Sequence, residues 1–264
     1  LNQNYWDVQY KNKTTGWDLG EISPPIKKFI DTIAHKSCAI LIPGCGNSYE
    51  AEYLIEQGFT NITVIDIAPT LVENLKTKFT ENPNIKIVLG DFFEHKGNYD
   101  LIIEQTFFCA LPPTMRQKYV WKMHKLLRDS GKIVGLLFNK IFEISPPFGG
   151  SKEEYISLFK DAFYVTSMEI CKNSIAPRVN SELFIELTKN SKVTVALYEF
   201  EGITCSGCVD SITKLISDLN GVFNVSMNTS FSELLIVSEK EIDLIDLQLV
   251  ISYDQKYKIN KINT

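Results

Sequence analysis

The spacing of apolar residues divides the chain into two stretches. From residue 38, short continuous apolar runs alternate with amphipathic ones. "CAILIP" (38–43) ends at a proline and predicts a buried parallel strand. Residues 47–59 predict a helix: Asn47 as its cap, Glu50 three positions on as in a capping box, and Gly58 as its stop. The same alternation predicts strand 61–67, helix 69–80, strands 85–91 and 99–105, helix 113–128 and strand 131–138. Helix 151–161 and strands near 163–172 and 182–188 follow, the last two closely connected and suited to an antiparallel hairpin at the sheet edge. This predicts an α/β fold with a doubly wound, mostly parallel sheet over residues 1–190.

After residue 190 the pattern changes. Strand 193–200, helix 208–219, strands 222–228 and 233–238, helix 241–252 and strand 256–260 make a βαββαβ order, which predicts a small ferredoxin-like second domain over residues 191–264.

Composition narrows the class. The chain has 264 residues, is 44% hydrophobic and carries a net charge of −5, with no run rich in Lys or Arg, which argues against a nucleic-acid partner. No apolar stretch approaches the roughly 20 residues needed to span a bilayer, and the polar, aromatic N-terminus lacks a signal-peptide core, so no membrane partner and a cytoplasmic location are expected. Six cysteines are too few for a disulfide scaffold and read as reduced thiols.

Ligands of such sheets bind at the carboxyl ends of the strands. The first exit is Pro43-Gly44-Cys45-Gly46, whose glycines let a ligand approach the backbone at the start of a helix. Asp66 lies 22 positions after Gly44, the spacing of a carboxylate that accepts both hydroxyls of a ribose. The third glycine of the dinucleotide fingerprint is absent, Tyr49 standing in its place, which argues for S-adenosylmethionine over a cofactor with a pyrophosphate. At the third exit Asp91 can accept from an adenine amine and Phe92 can lie on the ring, while Phe93 points to the core. Glu104, at the fourth exit, either faces cofactor and substrate or is a salt-bridged structural acid.

Several motifs in order resemble the thiopurine methyltransferase family, closest to its plant and bacterial thiol and halide branch: "TGWDLG", "LIPGCGNSYEAEYL", "VIDIAPT", "GDFF", "YDLIIEQTFFCALPPTMRQKYV" and "PPFGGS". The resemblance implies a class I methyltransferase fold with an aromatic cover over S-adenosylmethionine. It puts Trp6, Tyr10 and Trp17 on the cofactor, Gly44 and Gly46 at its methionine end, Asp66 on the ribose, and Asp91 with Phe92 at the adenine. It assigns Glu104 to the cofactor and catalytic side, and Arg116 to the methyl acceptor. Phe138 replaces a tyrosine found near the acceptor in the halide branch, which leaves the acceptor open.

The second stretch opens with "GITCSGCV", which resembles the loop of heavy-metal-associated domains. A helix N-terminus favours thiolates, and two sulfurs at Cys205 and Cys208 suit Cu(I) or Hg(II); zinc normally takes four ligands. A redox pair is the competing reading. Tyr257 is expected to flank this loop. The whole reads as a methyltransferase for a small soft acceptor (a thiol, or a selenium, tellurium or arsenic species) with a partner module for a soft metal or metalloid. Detoxification is the process such chemistry would serve. The alternative is a metal carrier or sensor with a non-catalytic methyltransferase fold.

Overall fold

The computed structural model describes residues 1–203, 205–252 and 256–263. Two helices not expected from the apolar spacing come first, α1 (Gln3–Asn12) and α2 (Pro24–Ile30). Seven strands follow: β1 (Ile40–Pro43), β2 (Ile62–Asp66), β3 (Ile85–Leu89), β4 (Tyr99–Gln105), β5 (Leu127–Phe138), β6 (Phe163–Ile170) and β7 (Glu182–Lys189). They form one sheet in the order β3-β2-β1-β4-β5-β7-β6. The first five are parallel, and β7 runs antiparallel to both β5 and β6, the expected hairpin. Helices α3 (Tyr49–Glu56), α4 (Pro69–Lys78), α5 (Arg116–Leu126) and α6 (Lys152–Phe159) alternate with the strands. With both faces covered, Ile40, Leu41 and Ile42 of β1 are almost fully buried, which explains the uninterrupted apolar run.

The order of β1 and β4 puts a topological switch between strands that leave in opposite directions, so their carboxyl ends open a crevice. One cap differs from expectation. Ser48, in the left-handed region, is the residue that precedes α3; the Asn47 side chain instead donates to Asp18. The helix expected from 113 begins as a 3₁₀ turn, Pro113–Met115, in which the Met115 N–H donates to the Pro112 carbonyl at 2.9 Å, and α5 proper starts at Arg116.

The second unit is β8 (Thr194–Glu201), α7 (Ser206–Ser217), β9 (Val222–Met227), β10 (Glu233–Ser238), α8 (Leu244–Val250) and β11 (Lys258–Lys261). Its four strands form a separate antiparallel sheet in the order β11-β8-β10-β9. One face packs Ala196, Tyr198, Leu234 and Ile236 against Ile212, Ile216, Leu247 and Ile251 of the two helices. The other face, with Leu197, Leu235 and Val237, belongs to the same apolar cluster as Val120 and Trp121 of α5. Hydrogen bonds reinforce this seam: Asn224 Nδ2 donates to Asp161 Oδ2 at 2.8 Å and Gln117 Nε2 to the Met227 carbonyl at 3.3 Å. The two sheets therefore share a core, and residues 191–264 depend on the first unit to cover one of their faces.

Candidate functional site

A cavity of about 620 Å³ opens at the carboxyl ends of β1, β2 and β4. Gly44 and Gly46 form its floor with φ of +54° and +51°, values an L side chain rarely adopts. A Cβ on Gly44 would lie 2.3 Å from the Phe107 ring, so glycine is required there by space as well as by backbone. Asp66 sits beside them. Its Oδ1 accepts from the Ala68 N–H at 3.0 Å and its Oδ2 from the Gly46 N–H at 3.4 Å. Burial raises its carboxyl above the usual range despite these donors, so the remaining lone pairs favour donors from a ligand.

The N-terminal segment supplies the opposite wall. Trp6 and Tyr10 are one helical turn apart on α1, and both meet Trp17 edge to face, at centroid distances of 5.5 and 6.1 Å. The Tyr10 hydroxyl stands 3.6 Å from where a Gly46 Cβ would be, and burial next to Asp66 and Cys45 pushes its pKa up, so it stays neutral. α1 is held down by Asp7, whose Oδ1 accepts from the Thr70 N–H at the start of α4 (2.7 Å) while its other oxygen pairs with Lys11. The Lys11 hydrogen bond and the Thr70 N–H hold the Asp7 carboxyl down to about 2. Asp18 completes the anchorage through the Gly20 N–H at 2.9 Å and through Asn47.

Asp91 and Phe92 also line the cavity. Asp91 is exposed and accepts from the Phe93 N–H at 2.8 Å; Phe92 is buried, with its ring 5.0 Å from that of Phe107. At the far end the lining is Phe138, Phe142, Pro146 and Pro147, with two cations, Lys140 and Arg178. Arg178 lies over the Phe138 ring, pairs with Glu182 at 3.2 Å and donates to the Trp17 carbonyl at 2.9 Å. The residues fit a nucleoside with a charged amino-acid tail: Gln105, next to the glycine floor, has a buried Oε1 without a partner, poised to accept from a ligand.

A model of the thiopurine S-methyltransferase family matches residues 1–191. The chain belongs to this family. It is 32% identical over 197 residues to a probable thiol methyltransferase 2 from Arabidopsis thaliana, an alignment covering 70% of this chain and 85% of that one. It is 26% identical to a thiocyanate methyltransferase 1 from Brassica oleracea, covering 69% and 83%. The fold is similar to that of the Burkholderia thailandensis 1,6-didemethyltoxoflavin-N1-methyltransferase solved with S-adenosylhomocysteine, with a TM-score of 0.58, 16% identity and coverage of 71% and 86%. The chain is thus a class I methyltransferase that uses S-adenosylmethionine. Among the described residues no helix is long and apolar enough to cross a membrane.

Two residues expected at the reacting groups of this methyltransferase stand behind the cavity wall. Glu104 is fully buried. Its Oε1 accepts from the N–H groups of Phe107 and Phe108, both at 2.9 Å, and its Oε2 from the Tyr119 hydroxyl at 2.7 Å. Burial raises its carboxyl to about 7. It shapes the Phe107 loop from below. Arg116 is also buried; it donates to the Gly149 carbonyl at 2.7 Å, pairs with Glu154, and lies over the Phe108 and Tyr155 rings. It latches the segment that follows Pro146 and Pro147. The cations that line the cavity are instead Lys140 and Arg178, the latter the one arginine in the β6–β7 connection. Sequence reading missed both, and it missed Asp7, its partner Thr70 being 63 positions away.

In the second unit Cys205 is the N-cap residue of α7, exposed, with its Sγ 2.7 Å from that of half-buried Cys208. Gly202, with φ of +94°, brings the loop against Tyr257, whose Cδ1 would be 3.2 Å from a Cβ there. Thr204, inside the motif, lies outside the described residues. Among the described residues no group of three or more His, Cys, Asp or Glu is gathered for a metal ion.

Proposed function

We propose that the enzyme transfers a methyl group to a small, soft, anionic nucleophile: a thiolate, thiocyanate, or a selenium, tellurium or arsenic species. The observation that carries this reading is the far end of the cavity, where apolar rings and prolines surround Arg178 and Lys140. Such a wall strips water from an anion while the cations keep it ionised. A thiolate is already a strong nucleophile and needs position and desolvation more than a base. In keeping with that, none of the three histidines is among the described residues that line the cavity.

In this reading Gly44, Gly46 and Gln105 hold the methionine end of the cofactor, Asp66 the ribose hydroxyls, and Asp91 with Phe92 the adenine. S-adenosylmethionine supplies an electrophilic methyl on a sulfonium. Trp6, Tyr10 and Trp17 cover that cation, and ring faces attract it. Glu104 and Arg116 act as positioning residues, one beneath the Phe107 loop and the other behind the Pro146–Pro147 turn. Transfer is an in-line displacement, so its rate depends on how well these walls align donor and acceptor.

The division into a catalytic unit, residues 1–190, and a heavy-metal-associated unit, residues 191–264, is part of the proposal. It is supported by the βαββαβ order, the positive-φ Gly202 against Tyr257, and the paired sulfurs of Cys205 and Cys208. The pair would take Cu(I), Hg(II) or a metalloid with two-coordinate preference. Incubating the purified protein with methyl-labelled S-adenosylmethionine and a panel of thiols, thiocyanate, halides, metalloid oxyanions, amines and phenols tests the acceptor class. Turnover confined to amine or hydroxyl acceptors would end this reading.

A further inference from the structure

Asn228, at the end of β9, is 98% buried against the methyltransferase unit, its exposure being 2%. Its Oδ1 accepts from the N–H groups of Ser232 and Glu233 at 3.0 and 3.1 Å, which fixes the β9–β10 turn and also fixes the orientation of the amide. Its Nδ2 donates to the Thr114 carbonyl at 3.0 Å and, with longer bonds inside the turn, to Ser232 Oγ at 3.4 Å and Glu233 Oε2 at 3.5 Å. Thr114 belongs to the 3₁₀ turn Pro113–Met115, and Leu111, Pro112 and Met115 line the cavity. Gln117, one residue into α5, donates in the other direction to Met227, next to Asn228. A fully satisfied polar clasp of this kind rigidifies what it joins. Here it joins the tip of the second sheet to the segment that carries the cavity wall, and it is made by residues beyond 191, where the family match ends.

We infer that Asn228 is a positioning residue for methyl transfer: through Thr114 it sets the Leu111–Met115 wall, which the bond from the Phe148 N–H to the Cys109 carbonyl at 2.6 Å joins to the Pro146–Pro147 turn of the far end, so the second unit shapes the acceptor end without touching the acceptor. The clasp is one-sided with respect to the cavity. Asp66, Gly46 and the aromatic cover are anchored by hydrogen bonds made with Ala68, Thr70 and Asp18, all within residues 1–70. Disturbing Asn228 therefore acts on the acceptor and leaves the cofactor in place.

The discriminating variant is Asn228→Asp. It keeps the oxygen that serves Ser232 and Glu233, but it sets a second acceptor oxygen against the Thr114 carbonyl and beside the Glu233 carboxylate. The experiment measures three things on the full-length protein: KM for hydrosulfide and for thiophenol as small and large probes, Kd for S-adenosylmethionine, and hydrogen exchange of backbone amides. The choice of probes rests on the soft-acceptor reading; the exchange measurement does not. Asn228→Asp is expected to raise KM for the probes about tenfold, inside the roughly hundredfold that misplacement can cost, and to alter the preference between the two sizes. Exchange should quicken in residues 111–117 and stay unchanged in residues 44–50 and 66–70, with cofactor Kd held within about twofold of wild type. Gln117→Ala should move the same readouts in the same direction, and serves if Asn228→Asp does not fold. Unchanged probe KM and unchanged exchange at 111–117 alongside a lowered Tm would make Asn228 a mere fold stabiliser and overturn the inference. A cofactor Kd that weakens as much as the probe KM would overturn it as well. If wild type methylates neither probe, thiolates leave the list of acceptors, and the exchange pattern alone decides on the clasp.

Discussion

Arg178 donates from Nη2 to the Trp17 carbonyl at 2.9 Å across 161 positions of sequence, joining the β6–β7 connection to the aromatic cover. One guanidinium thus closes the cover, pairs with Glu182 and presents positive charge to the cavity. Arg178→Ala should lower kcat/KM for an anionic thiol by about tenfold to a hundredfold, the worth of one charge-assisted hydrogen bond. Arg178→Lys keeps the charge but not the fork, so it should recover only part of that loss. Equal activity of the alanine variant and wild type toward thiolates would remove Arg178 from the acceptor site.

Asp66 carries the cofactor prediction. Its carboxylate is buried with two backbone donors and lines the cavity at the carboxyl ends of β1, β2 and β4. Asp66→Ala should weaken S-adenosylmethionine by about 1.5–3 kcal/mol in calorimetry, while Asp66→Asn should fall between the two. An affinity unaffected by alanine would mean that the ribose lies elsewhere.

Glu104 gives a pH signature. Its carboxyl is raised to about 7 by burial, against about 4.3 in an unfolded chain. Between those values the folded chain holds a proton that the unfolded chain has released. The stability it contributes is full below about pH 4.3 and is lost as pH rises to about 7. His124 works in the opposite sense: burial pushes it down to about 4, so its contribution is lost as pH falls from about 6.5. The raw stability curve mixes the two, and comparison with Glu104→Gln separates them. Relative to wild type, the glutamine variant should gain on the order of 2–4 kcal/mol between pH 4.5 and pH 8 in denaturant titrations. Parallel curves for the two proteins over that range would show that Glu104 does not carry the proton.

The cysteine pair should be separable from the fold. Cys205 is exposed and Cys208 half-buried at the start of α7, away from the shared core. The full-length Cys205→Ser, Cys208→Ser variant should therefore stay within about 0.5 kcal/mol of wild-type stability, as surface substitutions do. It should lose a single equivalent of Cu(I) or Hg(II) that wild type retains under reducing conditions. Wild type that binds neither ion, and cycles between dithiol and disulfide, would move the pair to redox chemistry.

Much of this arrangement was legible in sequence, for local reasons. The central strands β1, β2 and β4 are buried on both faces, so each reads as an apolar run, and Gly44, Gly46, Asp66 and Asp91 are strand-exit residues whose placement follows from the strands. The N-terminal helices escaped because α1 is polar overall and owes its position to two side chains, Trp6 and Tyr10, and to the distant Thr70 N–H. Glu104 and Arg116 were placed at the correct strand and helix ends but on the wrong side of the wall. Their partners, Tyr119 for one and Gly149 with Glu154 for the other, hold them from positions that no motif connects. In β8 the signal for the shared core was present: Leu197 and Tyr198 are adjacent and both apolar, which a strand shows when both of its faces are covered.

The account stands most directly on single-turnover transfer of labelled methyl from S-adenosylmethionine to matched acceptors that differ only in the attacking atom, thiophenol, phenol and aniline, across pH 6 to 9. It predicts product with thiophenol alone, at a rate that follows the thiolate fraction at low pH and then levels, and that falls in Arg178→Ala. Transfer to phenol or aniline at a comparable rate would contradict it.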